Sequence, residues 1–377
     1  MKKKVLFVND EMTMGGVARI LNTFLAKIDR NKYDVELLVL HKHGELLKEI
    51  PNDIKVISGT PFFNIIDKPL KQCHGKDLLN KLVLLFYMKT GLIKGRIQKE
   101  RKKILDKHYD VEFSAKEGFC TIFTSFGDSD KKLNWVQVDY KESNYSKHHM
   151  KLVKEALSHI DMNIACSNKV KESYEELFGV KRITVIHNLV DEERIRNLSL
   201  LPSSIKTNPN KINLITVARF HHQKGLDRLI NVYAKLKDYY EVVIIGDGEL
   251  KDELYTLAKK NNCFDDIKWL GIQSNPYPDV RESDLFIMSS LYEGYPTMTI
   301  ESLISDTPVL TTLVAGVKEQ INAANGWIVE NSEEGLFNKL DELKDSKELL
   351  IEMKKKLLTY HYDNETILNK YDELFND

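Results

Sequence analysis

The residues best suited to chemistry lie in the second half of the 377-residue sequence. Glu293-Gly294-Tyr295-Pro296-Thr297-Met298-Thr299-Ile300-Glu301 follows an apolar run, Leu285 to Met288, that reads as a buried strand. Pro296 suits the first turn of a helix, and Thr297 and Thr299 suit its N-terminal end. Free backbone N–H groups near Thr297, Met298 and Thr299 would then face an anion. Glu293 would sit in the loop at the strand's mouth and Glu301 inside the helix. Two carboxylates beside an anion seat make sense if they hold hydroxyls, such as those of a sugar or a ribose. Upstream, Val217-Ala218-Arg219-Phe220-His221-His222-Gln223-Lys224-Gly225 starts at the end of another strand. Arg219 and Lys224 flank a turn, so both can reach one diphosphate, the first as a planar fork and the second as a point charge. Taken singly, each motif also has a plain structural explanation: a capping acid with a solvated helix acid, and two solvated cations.

Met14-Gly15-Gly16 follows the first apolar run, Lys4 to Val8, and opens a helix. Paired glycines let a backbone approach an anion closely at a helix start, and a tight turn explains them equally well. The dinucleotide pattern GxGxxG is absent there, which argues against a dehydrogenase. Asp128-Ser129-Asp130 lies in a polar loop and reads as a turn, not a metal site. Cys73, Cys120, Cys166 and Cys263 are scattered and form no CxxC pair. They suggest neither a disulfide framework nor a zinc site, and they read as reduced thiols of a cytosolic protein.

The elements that must position these residues alternate between strand and helix. Val35 to Leu40, Ile54 to Ile57, Leu133 to Val138, Met162 to Cys166 and Ile183 to Ile186 read as strands in the first half. Ile212 to Val217, Val242 to Ile245, Ile267 to Leu270, Leu285 to Met288 and Pro308 to Thr311 read as strands in the second. Helical patterns separate them: Val17, Ile20, Leu21, Phe24, Leu25 and Ile28 mark one face of the first helix. Such alternation predicts parallel sheets. The polar stretch around Pro202 and Pro209 divides the two runs. The expected architecture is therefore α/β: two doubly wound, Rossmann-like domains facing each other across a cleft. Residues 1–196 form the first, 197–210 the linker and 211–360 the second, with 361–377 a C-terminal helix returning to the first domain. Ligands in such sheets bind beyond the carboxyl ends of the strands.

Apolar residues make up 42% and charged residues 29%, an ordinary soluble composition that excludes disorder and collagen-like repeats. No apolar run approaches the ~18–20 residues of a membrane span. The net charge of −1 conceals an asymmetry. Residues 1–196 carry 35 basic and 27 acidic side chains, so +8; residues 197–377 carry 20 and 29, so −9. Between Lys68 and Lys107 stand twelve basic residues and only three acids, interleaved with Leu78, Leu79, Leu82, Leu85, Phe86 and Leu92. A basic amphipathic segment of this kind predicts attachment to an anionic membrane surface. Nucleic acid is not an expected partner.

Together the motifs resemble the family-4 glycosyltransferases of bacteria, in their surface-polysaccharide or teichoic-acid branch. Glu293 with Glu301 matches the family's E-x7-E signature, and Arg219 with Lys224-Gly225 its R…KG element. Gly246-Asp247-Gly248, Pro308-Val309, Ala315-Gly316 with Glu319, and Asn325-Gly326 match the elements around them in order. Gly15-Gly16 matches the N-terminal glycine loop, and Asn188 with Asp191 the NxxD before the linker. The resemblance implies a GT-B fold and retaining transfer of a sugar from a nucleotide-sugar donor, most often a UDP-sugar, to a glycan or lipid-linked acceptor. It implies that Arg219 and Lys224 hold the donor diphosphate and that Glu293 contacts the donor sugar. Glu301 would bind the ribose, and Gly15, Gly16, Gly246, Thr297 and Met298 would line the donor. No metal or other cofactor is expected, and the protein would work in the cytoplasm or peripherally on the inner face of the membrane. Trp135-Val136-Gln137-Val138-Asp139-Tyr140 is similar to the family's WxHxD segment and places Gln137 and Asp139 on the acceptor side. Gln137 departs from the family, which commonly has His there, and glutamine cannot carry a proton. That departure supports an alternative: a non-catalytic GT-B partner subunit that binds acceptor or stabilises an active twin.

Overall fold

The computed structural model describes residues 2–65, 70–142 and 146–377. Lys68, the first residue of the basic stretch, lies outside them. The chain divides into two compact units, Met1–Leu189 with Glu365–Asp377, and Val190–Asn364. Each is built on one parallel sheet. In the first unit the strands are β1 (Lys3–Asn9), β2 (Tyr33–Val39), β3 (Lys55–Ser58), β4 (Val111–Ser114), β5 (Lys131–Val136), β6 (Met162–Ala165) and β7 (Ile183–Val185), in the order β3-β2-β1-β4-β5-β6-β7. In the second they are β8 (Ile212–Val217), β9 (Tyr240–Ile245), β10 (Ile267–Gly271), β11 (Leu285–Met288), β12 (Val309–Thr312) and β13 (Gly326–Val329), in the order β10-β9-β8-β11-β12-β13. The order reverses between β1 and β4 in one sheet and between β8 and β11 in the other. A crevice opens outside the carboxyl ends of the strands at such a reversal.

The apolar runs become strands because helices cover parallel sheets on both faces. Val5, Leu6, Phe7 and Val8 are all buried, without the alternation of a half-exposed strand. Two strands escape the apolar pattern. In β4, Val111-Glu112-Phe113-Ser114, a buried carboxylate interrupts the run. The edge strand β13 opens with Gly326, whose missing Cβ leaves room for the Val309 carbonyl. The helix Asn364–Asn376 packs in the first unit. Its Tyr371 and Phe375 join Phe24, Phe113 and Trp135 in an aromatic cluster, and Asp372 receives Lys32 and the Tyr33 hydroxyl.

The division between units differs from the sequence boundaries. The chain passes into the second unit after Leu189, not residue 196, so the helix Glu192–Ser199 belongs wholly to that unit. The return begins at Glu365, not 361. Residues 200–210 are a strap on the second unit instead of a free linker. Ser203 Oγ, Ser204 N and Ser204 Oγ each donate at 2.7 Å to the buried Asp279 carboxylate, and Ile205 enters the core beside Phe286. The polar composition there reflects a carboxylate to satisfy, not solvation.

The basic stretch is also less uniform than its composition. Arg101 is buried and makes a two-pronged pair with the buried Glu112, at 2.7 Å on both arms. Ser129 Oγ adds a third bond to Glu112, and Gly127 has no room for a Cβ, which would lie 2.5 Å from Glu112 Oε2. Asp128 turns toward Arg101 and Asp130 toward His108. Arg101 is therefore an internal strut that aligns β4, not a surface cation. Removing one partner of such a pair strands the other charge, at a cost of about 3–5 kcal/mol, whereas replacing both with apolar groups is near neutral. Arg101→Gln should lose stability in that range by urea unfolding, and Arg101→Met with Glu112→Leu should lose clearly less; equal losses would mean the charges are not coupled.

Candidate functional site

In the second unit the exits of β8 and β11 are stitched together. Leu291 N donates to Gln223 O at 2.7 Å, Ser289 Oγ to Lys224 O at 2.9 Å and Gln223 Nε2 to Tyr292 O at 2.9 Å. Between Lys224 and the helix Leu226–Leu236, Gly225 adopts φ +55°, and a Cβ there would lie 2.3 Å from Ser289 O. Only glycine lets the two loops close this far. The buried Arg228 ties the same seam from below through Ser289 O and Asn331.

This seam brings Lys224 Nζ to 2.5 Å from Glu293 Oε1. Glu293 also receives Ser290 Oγ at 2.7 Å and Gln223 Nε2 at 3.3 Å, so its carboxylate stays held if Lys224 turns to another anion. Arg219 projects exposed from the turn after β8. Among the described residues it makes no hydrogen bond or ion pair. Gly246, φ +142°, follows β9; a Cβ there would lie 1.9 Å from Ala218 O, so this glycine packs the β9 exit against the segment that carries Arg219. The helix Thr297–Ile304 starts one residue later than expected, with Pro296 at its cap position. It has no side-chain cap and no acid in its first turn, which leaves the N–H groups at Thr297 and Met298 and the positive end of the dipole for an anion. Glu301, in the same helix, is buried and accepts from the Tyr277 hydroxyl at 3.0 Å. The arrangement has two cations and a helix N-terminus for a diphosphate, and two fixed carboxylates for hydroxyls.

In the first unit the reversal lies between β1 and β4. The helix Gly16–Lys27 begins just beyond β1 with Gly15 at its cap, again with no capping side chain and no acid in its first turn. A Cβ built at Gly16 meets no described atom within 4 Å, and one at Gly15 only Thr13 O at 3.9 Å. Packing therefore does not demand these glycines; they keep the helix start uncrowded. Beyond β4, Lys116 pairs with Asp10, and Glu117 is buried with Oε2 accepting the Gln137 N–H at 2.9 Å. Burial pushes the Glu117 carboxyl above the usual carboxylate range. Gln137 and Asn188 form a reciprocal amide pair, each NH₂ donating to the other's carbonyl at 2.9 Å. Asp139 accepts from Lys141 N and Ser173 Oγ. Gln137 and Asp139 are thus engaged inside their own unit. Lys116, Glu117 and Asp10 were missed because β4, which ends beside them, carries no continuous apolar signal. Ser290 and Gln223 were missed because only the folded seam turns them to Glu293.

Two consequences can be measured. Gln137→Ala leaves the buried Asn188 amide without its partner and should cost about 1–3 kcal/mol in urea unfolding; an unchanged midpoint would show the clasp is idle. A carboxyl whose folded pKa is raised contributes stability fully below its ordinary value and loses it as pH rises through the folded value. Glu117→Gln should therefore raise the melting temperature relative to the native chain near about pH 8 and not near about pH 4. The opposite pH order would mean the carboxyl is held ionised.

The chain matches known proteins in both units. Residues 201–358 match Glycosyl transferases group 1, and residues 116–194 match Glycosyltransferase Family 4. The Campylobacter jejuni N-acetylgalactosamine-N,N'-diacetylbacillosaminyl-diphospho-undecaprenol 4-alpha-N-acetylgalactosaminyltransferase is 33% identical over 132 residues, 35% of each chain. An uncharacterized glycosyltransferase of Methanocaldococcus jannaschii is 30% identical over 194 residues, 48% of each. These matches span about half or less of the relatives' length. The amylovoran biosynthesis glycosyltransferase AmsD of Erwinia amylovora is 24% identical over all of both chains. Among solved structures, Anabaena HepE in complex with UDP and glucose superposes with a TM-score of 0.73 at 16% identity, covering 99% of each chain. S. aureus TarM in complex with Fondaparinux, alpha-GlcNAc-glycerol and UDP gives 0.73 at 15%, covering 100% of each. With the fold of those structures, a family match in each unit and a relative alike from end to end, the chain belongs to the family-4 glycosyltransferases of GT-B fold.

Proposed function

We propose that the chain transfers a sugar from a UDP-sugar, with retention of configuration, to a glycan or lipid-linked glycan in the building of a bacterial surface polysaccharide. The observation that carries this reading is the Lys224–Glu293 couple, 2.5 Å across, at the β8/β11 reversal of the sheet that also ends at the uncapped helix Thr297–Ile304. Solved neighbours in complex with UDP and UDP-glucose support the nucleotide. The Campylobacter relative, whose name specifies a diphospho-undecaprenol acceptor and an alpha linkage, supports the lipid-linked acceptor and the stereochemistry. AmsD and an Escherichia coli relative named for O-antigen biosynthesis support the pathway class.

The chemistry follows from charge. As the glycosidic bond breaks, the departing diphosphate gathers negative charge. Arg219, Lys224 and the N–H groups at Thr297 and Met298 stabilise it where it forms. Lys224 exchanges Glu293 for phosphate, and Glu293, still held by Ser290 and Gln223, turns to a hydroxyl of the donor sugar. Glu301 takes the ribose hydroxyls in place of Tyr277. Gly15 and Gly16 offer a second uncrowded set of N–H groups in the first unit, and Gln137 and Asp139 support the acceptor side through its backbone. The acceptor is reached at an anionic membrane surface. No divalent metal takes part in this scheme; loss of transfer in EDTA with rescue by magnesium would move Asp128 and Asp130 into the mechanism. The Gln137–Asn188 clasp, which leaves no proton carrier at that position, favours a second reading: a partner subunit without turnover.

Arg219→Ala and Lys224→Ala should each lower turnover by about 10²–10³-fold in folded protein. Glu301→Ala should chiefly weaken UDP binding by calorimetry, and Glu293→Ala should chiefly lower the rate, because only contacts on the reacting sugar change as the bond breaks. Gly16→Val should fold normally and transfer poorly. A purified chain that binds UDP yet neither transfers nor hydrolyses any of a panel of UDP-sugars is the partner subunit.

A further inference from the structure

The helix Lys76–Thr90 is turned inside out. Asp77, Lys81, Leu84 and Met88, at i, i+4, i+7 and i+11, face inward, and Lys81 Nζ donates to the Ile65 carbonyl at 2.8 Å. Leu84 is the only buried residue of the helix. The opposite stripe is apolar and bare: Leu79 is 63% exposed, Leu82 50%, Val83 36% and Phe86 58%. An amphipathic helix at a protein surface normally points such a stripe at the core. A contiguous exposed apolar patch marks a surface that something else covers.

The surroundings of the stripe indicate what covers it. Lys76 and Lys89 flank it on the same helix, and Lys71, Lys94, Lys99, Lys102 and Lys103 are exposed nearby in sequence. Between residues 70 and 103 the only carboxylates are Asp77 and Glu100. Asp77 is half-buried; Glu100 is buried and engaged by Arg96 and Lys103. The face therefore presents apolar side chains ringed by cations, with no exposed carboxylate among the described residues of this stretch. A second copy of the chain would bring lysines against lysines across a two-fold axis, which disfavours self-association. An anionic bilayer complements both features, apolar chains below and phosphates around the rim.

We propose that the helix Lys76–Thr90 lies in the surface of an anionic bilayer, with Leu79, Leu82 and Phe86 sunk among the acyl chains and the surrounding lysines on the headgroups. This rests on the reading that the acceptor is lipid-linked, and it moves the seat of attachment from charge alone to an inserted apolar stripe. Arg101, as an internal strut, takes no part.

The test uses the full chain and vesicles of phosphatidylcholine alone or mixed with equal phosphatidylglycerol. The native chain should sediment with the mixed vesicles at low salt and remain partly bound at about 0.5 M salt, where surface charge is screened. Leu79→Ser with Leu82→Ser and Phe86→Ser should weaken binding by about tenfold or more at both salt concentrations. Lys76→Gln with Lys89→Gln and Lys94→Gln should weaken it by about tenfold at low salt only. Because these side chains are exposed, melting temperature and UDP affinity should stay unchanged in both variants. Phe86→Trp should shift its emission to the blue on mixed vesicles and be quenched by lipid brominated in the acyl chain. Native-like binding of the serine variant overturns the proposal, as does a native dimer that the serine variant makes monomeric. UDP-sugar hydrolysis measured without vesicles separates the cases: hydrolysis with no vesicle binding sinks this proposal alone, and vesicle binding with no hydrolysis sinks the catalytic reading alone.

Discussion

Lys224 and Glu293 meet across 69 positions of sequence, and the second unit is arranged so that they can. Their contact requires β8 and β11 to be neighbours, which means that β9 and β10 must lie to one side and β12 and β13 to the other. It requires the turn after β8 to approach the β11 exit more closely than any Cβ at residue 225 would allow. It also requires a carboxylate that survives desolvation, which the Ser290 and Gln223 donors secure. The packed glycines at 225 and 246, the buried Arg228 and the seam of hydrogen bonds are consequences of holding one cation and one anion at the mouth of a parallel sheet.

The two glycine sites show opposite uses of the same residue. At Gly225 and Gly246 a Cβ would collide with backbone carbonyls, so the fold itself demands glycine. At Gly15 and Gly16 a Cβ would enter open space, and the backbone at Gly15 is extended, φ −177°, which any residue adopts. Where the fold does not demand glycine, room for a ligand is the remaining physical reason to have it.

Most of the architecture was legible because parallel strands covered on both faces write themselves as continuous apolar runs. Val5 to Val8 and Ile212 to Val217 are examples. Legibility failed where a polar residue is buried with a partner that sequence cannot supply. β4 was invisible because Glu112 sits in its middle, and nothing local says that Arg101 will neutralise it. The strap at 200–210 resembled a solvated linker because its serines are drawn to Asp279, 75 and 76 positions away. The motif residues were legible by type and spacing, and their partners were not. That Gln137 is clasped by Asn188, and that Glu301 is covered by Tyr277, depends on long-range packing.

The same limit explains the basic stretch. Composition counts Arg101 and Lys102 as equals, yet one is an internal strut and the other is solvated. It also counts the leucines of residues 78–86 as core, since apolar side chains at helical spacing usually are. Three-dimensional position reverses that assignment, because the inward face of the helix is occupied by Asp77, Lys81 and Leu84. A chain that buries an Arg–Glu pair and leaves four leucine and phenylalanine-sized groups to water has placed its apolar surface where its own core gains little from it. In water alone each such exposed group forgoes roughly 1.5–3 kcal/mol of burial. An apolar medium outside the protein recovers that free energy, and it does so without asking the second unit, with its diphosphate-binding seam, to move.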